Sequence, residues 1–133
     1  MLDLHGYPVV GQDNLDDFLQ QHEDVVLFFT DLAKPLPETA DVAVILPELA
    51  KAFPGRFTVA VVAHDEQHKL HKRYRFRTWP TLVFLRHGQY LGAVSKVQDW
   101  SVYLQEIEAI LASEPSEPPR ITATGAGLAS SAG

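Results

Sequence analysis

Three apolar runs of five to seven residues stand out along the chain: Val25–Phe29, Phe57–Ala63 and Thr81–Leu85. They are rich in β-branched and aromatic residues, and apolar positions follow one another almost without interruption. Runs of this kind are typical of strands that are buried on both faces of a sheet. The pattern therefore predicts three central strands.

Two weaker patterns predict further strands. The segment Leu4–Val10 favours a short first strand, and Pro8 within it indicates a sheet edge because proline donates no ladder hydrogen bond. Later in the chain, His87 and Gly88 form a turn pair that leads from the third apolar run into Gln89–Leu91. This second pattern predicts a β-hairpin.

Between these strands, apolar residues recur three and four positions apart, which is the spacing of helices that bury one face. Thr39 and Asp65 are expected N-caps, because their side-chain oxygens can accept hydrogen bonds from the first N–H groups of a helix. Pro47 falls inside the second helix and is expected to kink it. The predicted helices run from Asp13 or Asn14 to Gln21, from Thr39 to Phe53, from Asp65 to Tyr74 and from Val97 to Ala112.

The composition changes after Ala112. Residues 113–133 are rich in Ser, Pro, Gly and Ala, and their only large apolar residues are Ile121 and Leu128. A segment of this composition buries too little apolar surface to offset the entropy of ordering the chain. A length of 133 residues suits one domain. We therefore predict one domain at residues 1–112 and a disordered tail at residues 113–133.

The sequence contains no cysteine. Disulfide exchange, thiolate nucleophiles and cysteine-based metal sites are therefore excluded. No apolar run approaches the length of a membrane span, and Met1–Leu4 has neither the basic nor the apolar region of a secretion signal. These features predict a soluble, cytoplasmic protein without membrane insertion.

Charge is unevenly distributed along the chain. Residues 1–50 have a net charge of −9, residues 51–112 a net charge of +4, and residues 113–133 a net charge of −1. Such polarity can steer a charged partner toward one part of the surface. The alternative interpretation is that the acidic side chains only solvate helix surfaces.

A basic segment with three histidines follows the second apolar run. Imidazoles four residues apart share a helix face and can bind a metal, but the neighbouring positive charge opposes a bound cation. The pI near 5.4 and the lack of interleaved exposed aromatic residues argue against nucleic acid. We interpret the segment as a solvated basic face and predict neither a metal site nor nucleic-acid binding. Its members are His64, His68, Lys69, His71, Lys72, Arg73, Arg75 and Arg77.

No set of residues indicates catalysis. The chain has no glycine-rich phosphate loop and no Ser/His/Asp signature. The neighbouring carboxylates Asp16 and Asp17 lie on a predicted exposed helix surface rather than in a site for acid–base chemistry. We predict that the protein is not an enzyme and uses no cofactor.

A strand, a helix, a proline-containing turn and a hairpin follow one another in the order and spacing of a known fold. The residues that carry this pattern are Val59–Ala63, Asp65, Tyr74–Arg77, Trp79–Thr81, Leu82–Leu85 and Gly88. The pattern resembles the C-terminal half of thioredoxin-fold proteins. The resemblance implies an α/β three-layer sandwich, with a central mixed sheet of four or five strands flanked by about four helices.

In that superfamily the proline ahead of the hairpin is cis, and the backbone before it pairs with extended peptides. Pro80 occupies this position, so the resemblance implies a cis Trp79–Pro80 bond. Leu36–Thr39 lies near the place where redox-active members carry the C-x-x-C motif. The chain thus keeps the pattern of the fold without its thiols.

A narrower resemblance is carried by the cysteine-free loop, the helix after it and the residues around Pro80. The matching residues are Pro37, Glu38, Asp41, Ile45–Phe53, Pro54, Val59–Ala63, Arg75–Phe84 and Trp100. Over about residues 10–112 the chain resembles the HyaE/HupG/HoxO family of hydrogenase expression accessory proteins. The resemblance implies a redox-inactive chaperone that binds the small-subunit precursor of a [NiFe] uptake hydrogenase, through its twin-arginine signal peptide, before export. Other hydrogenase accessory proteins are further candidate partners.

The acidic N-terminal half is a candidate landing surface for such a peptide, because Arg pairs well with carboxylates. The alternative is a structural or adaptor subunit of thioredoxin fold that binds another extended peptide. The candidate peptide-binding residues are Glu38, Asp41, Glu48, Thr78, Trp79 and Pro80.

The first prediction concerns redox chemistry. The purified protein should not accelerate the reduction of insulin, because without a thiol it cannot form a mixed disulfide. Turbidity of insulin and dithiothreitol is the measurement, with a buffer blank and a cysteine-containing thioredoxin as controls. Turnover above the blank, in a preparation free of contaminating reductase, would contradict the prediction.

Overall fold

The computed structural model describes residues 7–30, 37–76 and 78–116, without the side chains of residues 37–40, 64 and 68. Its elements follow one another as a mixed α/β chain. They are β1 (Val9–Val10), α1 (Leu15–Gln21), β2 (Asp24–Phe29), α2 (Pro37–Ala52), β3 (Thr58–Val62), a 3-10 turn (His64–Glu66), α3 (Gln67–Tyr74), β4 (Thr81–Arg86), β5 (Gln89–Ser95) and α4 (Trp100–Ala112).

The strands form one five-stranded sheet in the order β1-β3-β2-β4-β5. β3 pairs in parallel with β1 and β2, whereas β4 pairs antiparallel with β2 and β5. The predicted mixed sheet is confirmed, as is the edge position of the strand after Pro8. The part of that predicted strand before Tyr7 lies outside the described residues.

Each face of the sheet carries a helical layer with its own apolar core. α2 and α4 pack on one face, and α1 and α3 pack on the other. Successive residues of β2 alternate between the two cores, so that Phe28 enters the first and Phe29 the second. The predicted three-layer sandwich is confirmed.

The turn between β4 and β5 matches its prediction. His87 and Gly88 have φ values of 51° and 77°, the left-handed pair that a two-residue hairpin requires. Gly88 adopts this conformation without steric cost because it has no Cβ atom. The hairpin places β5 on the outer side of β4, where β5 forms the second edge of the sheet.

Three predicted helix starts are corrected by the structure. Asp65 does not cap α3, because residues 64–66 form the 3-10 turn and the helix begins at Gln67. α2 begins at Pro37, ahead of Thr39, since proline suits the first turn of a helix, where its missing N–H is not needed. α4 begins at Trp100 rather than Val97, because residues 97–99 connect it to β5 and Asp99 has an extended backbone.

The start of the predicted tail forms hydrogen bonds with the last helix and with the sheet. The backbone N–H of Ser113 donates to the carbonyl of Ile110 at 3.1 Å, and that of Ser116 donates to the carbonyl of Tyr90 in β5 at 2.8 Å. Residues 117–133 lie outside the described residues. The domain boundary after residue 112 and the disorder of the tail therefore stay predictions.

An ion pair ties the first residue of β2 to the last residue of β4. Arg86 donates from Nε to Asp24 Oδ1 at 2.9 Å and from Nη2 to Asp24 Oδ2 at 3.0 Å. The Arg86 and Asp24 side chains are 25% and 15% exposed. The bond to Asp24 is the main cause of a raised pKa of the Arg86 guanidinium.

The same guanidinium reaches the end of α4. It donates to the carbonyl oxygen of Leu111 at 2.8 Å and to that of Ser113 at 3.3 Å. Carbonyl groups in the last turn of a helix have no partner within the helix, and a cation also suits the negative end of the helix dipole. Arg86 therefore joins two strands and the last helix at one corner of the fold.

Replacing Arg86 with Met should lower the free energy of unfolding by about 2–3 kcal/mol, because the variant leaves a largely buried carboxylate without its partner. Urea denaturation followed by circular dichroism measures the loss. The control is Arg73→Met, which removes the Arg73–Asp16 pair at 2.9 Å, whose side chains are 45% and 69% exposed. That exposed pair should contribute only about 0–1 kcal/mol, so equal losses in the two variants would refute the assignment.

Candidate functional site

The candidate site lies where β2 ends and β4 begins. Phe29 at the end of β2 pairs with Thr81 at the start of β4. The Trp79–Pro80 peptide bond directly before Thr81 is cis, as predicted. The residues Thr78, Trp79 and Pro80 therefore lie at one end of the sheet.

Aromatic rings hold Trp79 in place. Its ring centroid lies 5.0 Å from that of Phe76, 5.3 Å from that of His71 and 6.0 Å from that of Phe29, all in edge-to-face geometry. Arrangements of this kind stabilise aromatic pairs beyond the area that they bury. Trp79 itself is half-buried. The indole thus combines a fixed position with a surface that solvent can reach.

Thr81 fixes the turn that carries Pro80. Its buried hydroxyl donates to the carbonyl of Thr78 and lies 2.8 Å from the hydroxyl of Ser95 in β5. The carbonyl of Pro80 accepts a hydrogen bond from the N–H of Lys96 at 2.7 Å. The backbone on the β5 side of the turn is therefore already paired.

The backbone on the outer side of the turn offers donors. Within residues 7–30, 37–76 and 78–116, the N–H groups of Thr78 and Trp79 have no hydrogen-bond partner. Thr78 is also exposed. Unpaired N–H groups beside an extended turn are the feature that strand addition by a peptide requires.

The predicted acidic residues lie on α2. Asp41 and Glu48 are both exposed, and the seven-residue spacing separates them by about 10 Å along the helix axis. Val44 lies between them and is 74% exposed. Glu48 Oε2 lies 3.6 Å from Lys51 Nζ, so part of the negative charge of Glu48 is compensated. Glu38 belongs to the first turn of α2, and its side chain lies outside the described residues.

The acidic residues and Trp79 lie on different sides of the sheet. α2 packs in the layer with α4, whereas Trp79 packs against the core of α1 and α3. The C-terminal end of α2 leads to Thr58, which pairs with Val25 at the far end of the sheet. The N-terminal turns of α2, with Asp41, are therefore nearer to Pro80 than Glu48 is.

Basic side chains lie in the opposite layer. Lys69, Lys72, Arg73 and Arg75 are exposed on α3 or directly after it. α3 also contributes Tyr74, whose hydroxyl pKa is raised mainly by burial, with an opposing effect of Arg73. The end of the sheet that carries Pro80 thus lies between an acidic helix and a basic one.

Two of the clefts lined by described residues lie away from this turn. One of about 410 Å³ is bordered by Arg73, Tyr90 and Ser116, and one of about 560 Å³ by His22, Asp24 and Arg86. Neither holds a group of residues that suggests catalysis. The features around Pro80 suit an extended segment lying on the surface better than a small molecule in a cavity.

The part of the chain that the structure describes shows neither a cluster of metal ligands nor a membrane-spanning helix. There, no group of three or more His, Asp or Glu side chains is placed to hold a metal ion. The side chains of His64 and His68 lie outside that description, so the predicted absence of a metal site stays a prediction. Among the helices described above, none has the length and apolar character needed to cross a membrane.

The topology, the cis-proline turn and the lack of cysteine define a thioredoxin-like protein without the redox motif. The solved thioredoxin of Plasmodium falciparum is similar to it with a TM-score of 0.62 and 22% identity, covering 76% of this chain and 96% of that chain. A likeness at this identity shows the fold alone. The predicted thioredoxin-like fold is confirmed.

The family model described as "Hydrogenase-1 expression protein HyaE" matches residues 1–103. The chain therefore belongs to the HyaE family of hydrogenase expression proteins, as the sequence resemblance predicted. A crystal structure of a hydrogenase expression/formation protein hupG from Rhodopseudomonas palustris CGA009 is similar with a TM-score of 0.55 and 42% identity. The similarity covers 79% of this chain and 95% of that chain.

Curated relatives carry the same kind of name. Hydrogenase expression/formation protein HoxO from Azotobacter vinelandii is 47% identical over 116 residues, which are 87% of this chain and 78% of that protein. HoxO from Cupriavidus necator is 37% identical over 123 residues, which are 91% and 76% of the two chains. HupG from Rhizobium leguminosarum bv. viciae is 39% identical over 122 residues, which are 89% and 80%. The chain is a hydrogenase expression/formation accessory protein of thioredoxin-like fold.

Sequence reasoning missed the support beneath Trp79. His71 and Phe76 fall within the segment interpreted as a solvated basic face, but both rings contact Trp79. His71 Nδ1 also lies 3.2 Å from the carbonyl oxygen of Phe76. The spacing of His71 from Gln67 and Tyr74, four residues before and three after, is the signal that places these residues on one side of α3.

Replacing Thr81 with Val should lower the free energy of unfolding by about 1–2 kcal/mol, because the isosteric change removes a buried hydroxyl with two partners. Thermal denaturation followed by circular dichroism is the measurement.

Thr58→Val is the matched control for Thr81→Val. Thr58 is also a strand threonine, but its hydroxyl has no hydrogen-bond partner among the described residues. Its replacement should change stability by no more than about 0.5 kcal/mol. If both variants behave alike, the Thr81 hydroxyl does not hold the turn.

Proposed function

We propose that this protein is a redox-inactive chaperone for the small-subunit precursor of a [NiFe] uptake hydrogenase. It binds the twin-arginine signal region of that precursor in the cytoplasm before export, and it catalyses no reaction. The observation that carries the proposal is the pair of unpaired N–H groups at Thr78 and Trp79, beside a cis proline, in a family named for hydrogenase expression. The absence of cysteine supports binding without covalent chemistry.

Backbone pairing supplies the first part of the binding. An extended segment adds to the turn by accepting hydrogen bonds from the N–H groups of Thr78 and Trp79. Such bonds are independent of the peptide's side chains, so they confer affinity without selecting a sequence. The half-buried indole of Trp79 supplies apolar contact at the same place.

Carboxylates on α2 supply the selection for arginine. Exposed ion pairs contribute only about 0.2–1 kcal/mol each, so Glu38, Asp41 and Glu48 must act together rather than singly. Val44 between Asp41 and Glu48 offers an apolar contact for the stem of an arginine side chain. Asp41 is expected to contribute more than Glu48, which has Lys51 beside it.

The two helical layers give the bound peptide a direction. Basic side chains on α3 repel an arginine pair on the side of Trp79, while the acidic side chains on α2 attract it. The twin arginines therefore lie toward α2, and an uncharged flank of the peptide lies on Trp79. In this arrangement one extended peptide crosses the end of the sheet and contacts both the cis-proline turn and α2.

The second candidate function is an adaptor subunit that binds another extended peptide. It is favoured by the same backbone donors, because they do not select a sequence. Co-purification from cells with and without the hydrogenase precursor separates the two functions. A dedicated chaperone is recovered with the precursor, whereas an adaptor keeps its partner in cells that lack the precursor.

Calorimetric titration with a synthetic twin-arginine signal peptide tests the proposed surface. Glu38→Gln, Asp41→Asn and Glu48→Gln should weaken binding, and the triple variant should lose about tenfold in affinity, because several pairs of a few tenths of a kcal/mol are removed together. The loss should shrink at high salt, which screens exposed charges.

Two controls accompany the titration. Glu106→Gln removes an exposed carboxylate on α4 that is not among the proposed contacts, and it should bind like wild type. A twin-lysine peptide should bind more weakly than the twin-arginine peptide, because lysine cannot pair with a carboxylate through two parallel bonds. If the triple variant binds as tightly as Glu106→Gln, the acidic face of α2 is not the receptor, and the basic face of α3 becomes the next surface to test.

A further inference from the structure

Gln67 is a polar side chain in the interior of the fold. It is 1% exposed and begins α3, behind the end of the sheet that carries Trp79. Its Oε1 accepts from the N–H of Thr30 at 3.0 Å, and its Nε2 donates to the Thr30 hydroxyl at 2.7 Å and to the Val62 carbonyl at 3.1 Å. The amide therefore connects α3 with the ends of β2 and β3.

The partners fix the orientation of the amide. A backbone N–H only donates and a carbonyl only accepts, so the oxygen must face Thr30 and the nitrogen must face Val62. Both hydrogens of Nε2 are then used. A glutamate in this position lacks the donors, and a methionine of similar size lacks the donors and the acceptor.

Thr30 needs such a partner because of where it lies. The ladder between β2 and β4 ends at the Phe29–Thr81 pair, and the ladder between β2 and β3 ends at the Phe28–Val61 pair. Thr30 comes directly after these pairs and is buried. A buried backbone N–H without an acceptor costs free energy, and Gln67 removes that cost.

The same point supports the ring of Trp79. Phe29 precedes Thr30, and its ring packs edge-to-face against those of Trp79 and Phe76. A shift of the backbone at Thr30 therefore moves the surface on which Trp79 rests. Because Gln67 is buried, its effect on a peptide at the surface is indirect, and the contacts through Thr30 and Phe29 supply one route.

We propose that Gln67 is a positioning residue for the peptide-binding turn. Its amide fixes the backbone at the end of β2 and thereby the position of Trp79 beside Pro80. An apolar side chain would fill the same volume but would leave the backbone at Thr30 without this constraint. The inference rests on the proposed function for its binding readout, and its structural readout is independent of that function.

The test uses Trp79 as a single fluorescent reporter. The chain has two tryptophans, so the exposed Trp100 is first replaced with Phe. In this background Gln67→Met should shift the emission maximum of Trp79 and increase its quenching by acrylamide. It should also weaken binding of the synthetic twin-arginine signal peptide by about tenfold, measured by calorimetry well below the melting temperature.

The matched control is Leu111→Ala in α4, which opens a cavity in the core on the other face of the sheet. It should lower the melting temperature but leave the Trp79 emission and the peptide affinity unchanged. If Gln67→Met changes the emission and the affinity no more than Leu111→Ala does, Gln67 is only a core residue and the inference is overturned.

Thr30→Val keeps the test decisive if Gln67→Met does not fold. This variant retains the backbone bond to Gln67 Oε1 but loses the hydroxyl that accepts from Nε2. It should produce a smaller shift of the Trp79 emission in the same direction, and no shift at all would contradict the inference. Failure of the wild-type protein to bind the peptide would refute the proposed function, while the emission changes would still decide the role of Gln67.

Discussion

The hydrogen bonding of β2 on both sides is the constraint on which the rest of the structure depends. β2 pairs in parallel with β3 and antiparallel with β4, and its residues alternate between the two helical cores. A strand held in this way cannot slip by one residue without turning every side chain to the wrong face. The end of β2 therefore fixes Thr30, the Phe29–Thr81 pair and the cis-proline turn together.

The lack of cysteine changes what such a turn can do. A thioredoxin-like protein with thiols can hold a partner through a disulfide bond, whereas the binding proposed for this chain, which has no cysteine, uses only non-covalent contacts. Backbone donors, a half-buried indole and exposed carboxylates each contribute little alone. Binding of the proposed kind is reversible and sensitive to salt.

The helices α2 and α3 carry opposite charge on opposite faces of the sheet. α2 carries exposed acidic side chains and α3 carries exposed basic ones, with the sheet between them. Because the sheet separates these acidic and basic side chains, the peptide of the proposed function would meet both as it crosses the end of the sheet. The fold thus places a difference in charge along the sequence on two opposite faces of the sheet.

The sequence by itself determined the three central strands, the His87-Gly88 turn, the cis bond at Pro80 and the family. The strands and the turn rest on local signals, which are the near-continuous apolar runs and the left-handed turn residues. The cis bond and the family were implied by the resemblance to known sequences. Only the tertiary structure decided where α3 and α4 begin, that Gln67 is buried against Thr30, and that Asp24 binds Arg86. Partners that lie 37 and 62 positions apart leave no periodic signal, because packing across the sheet and not spacing along the chain brings them together.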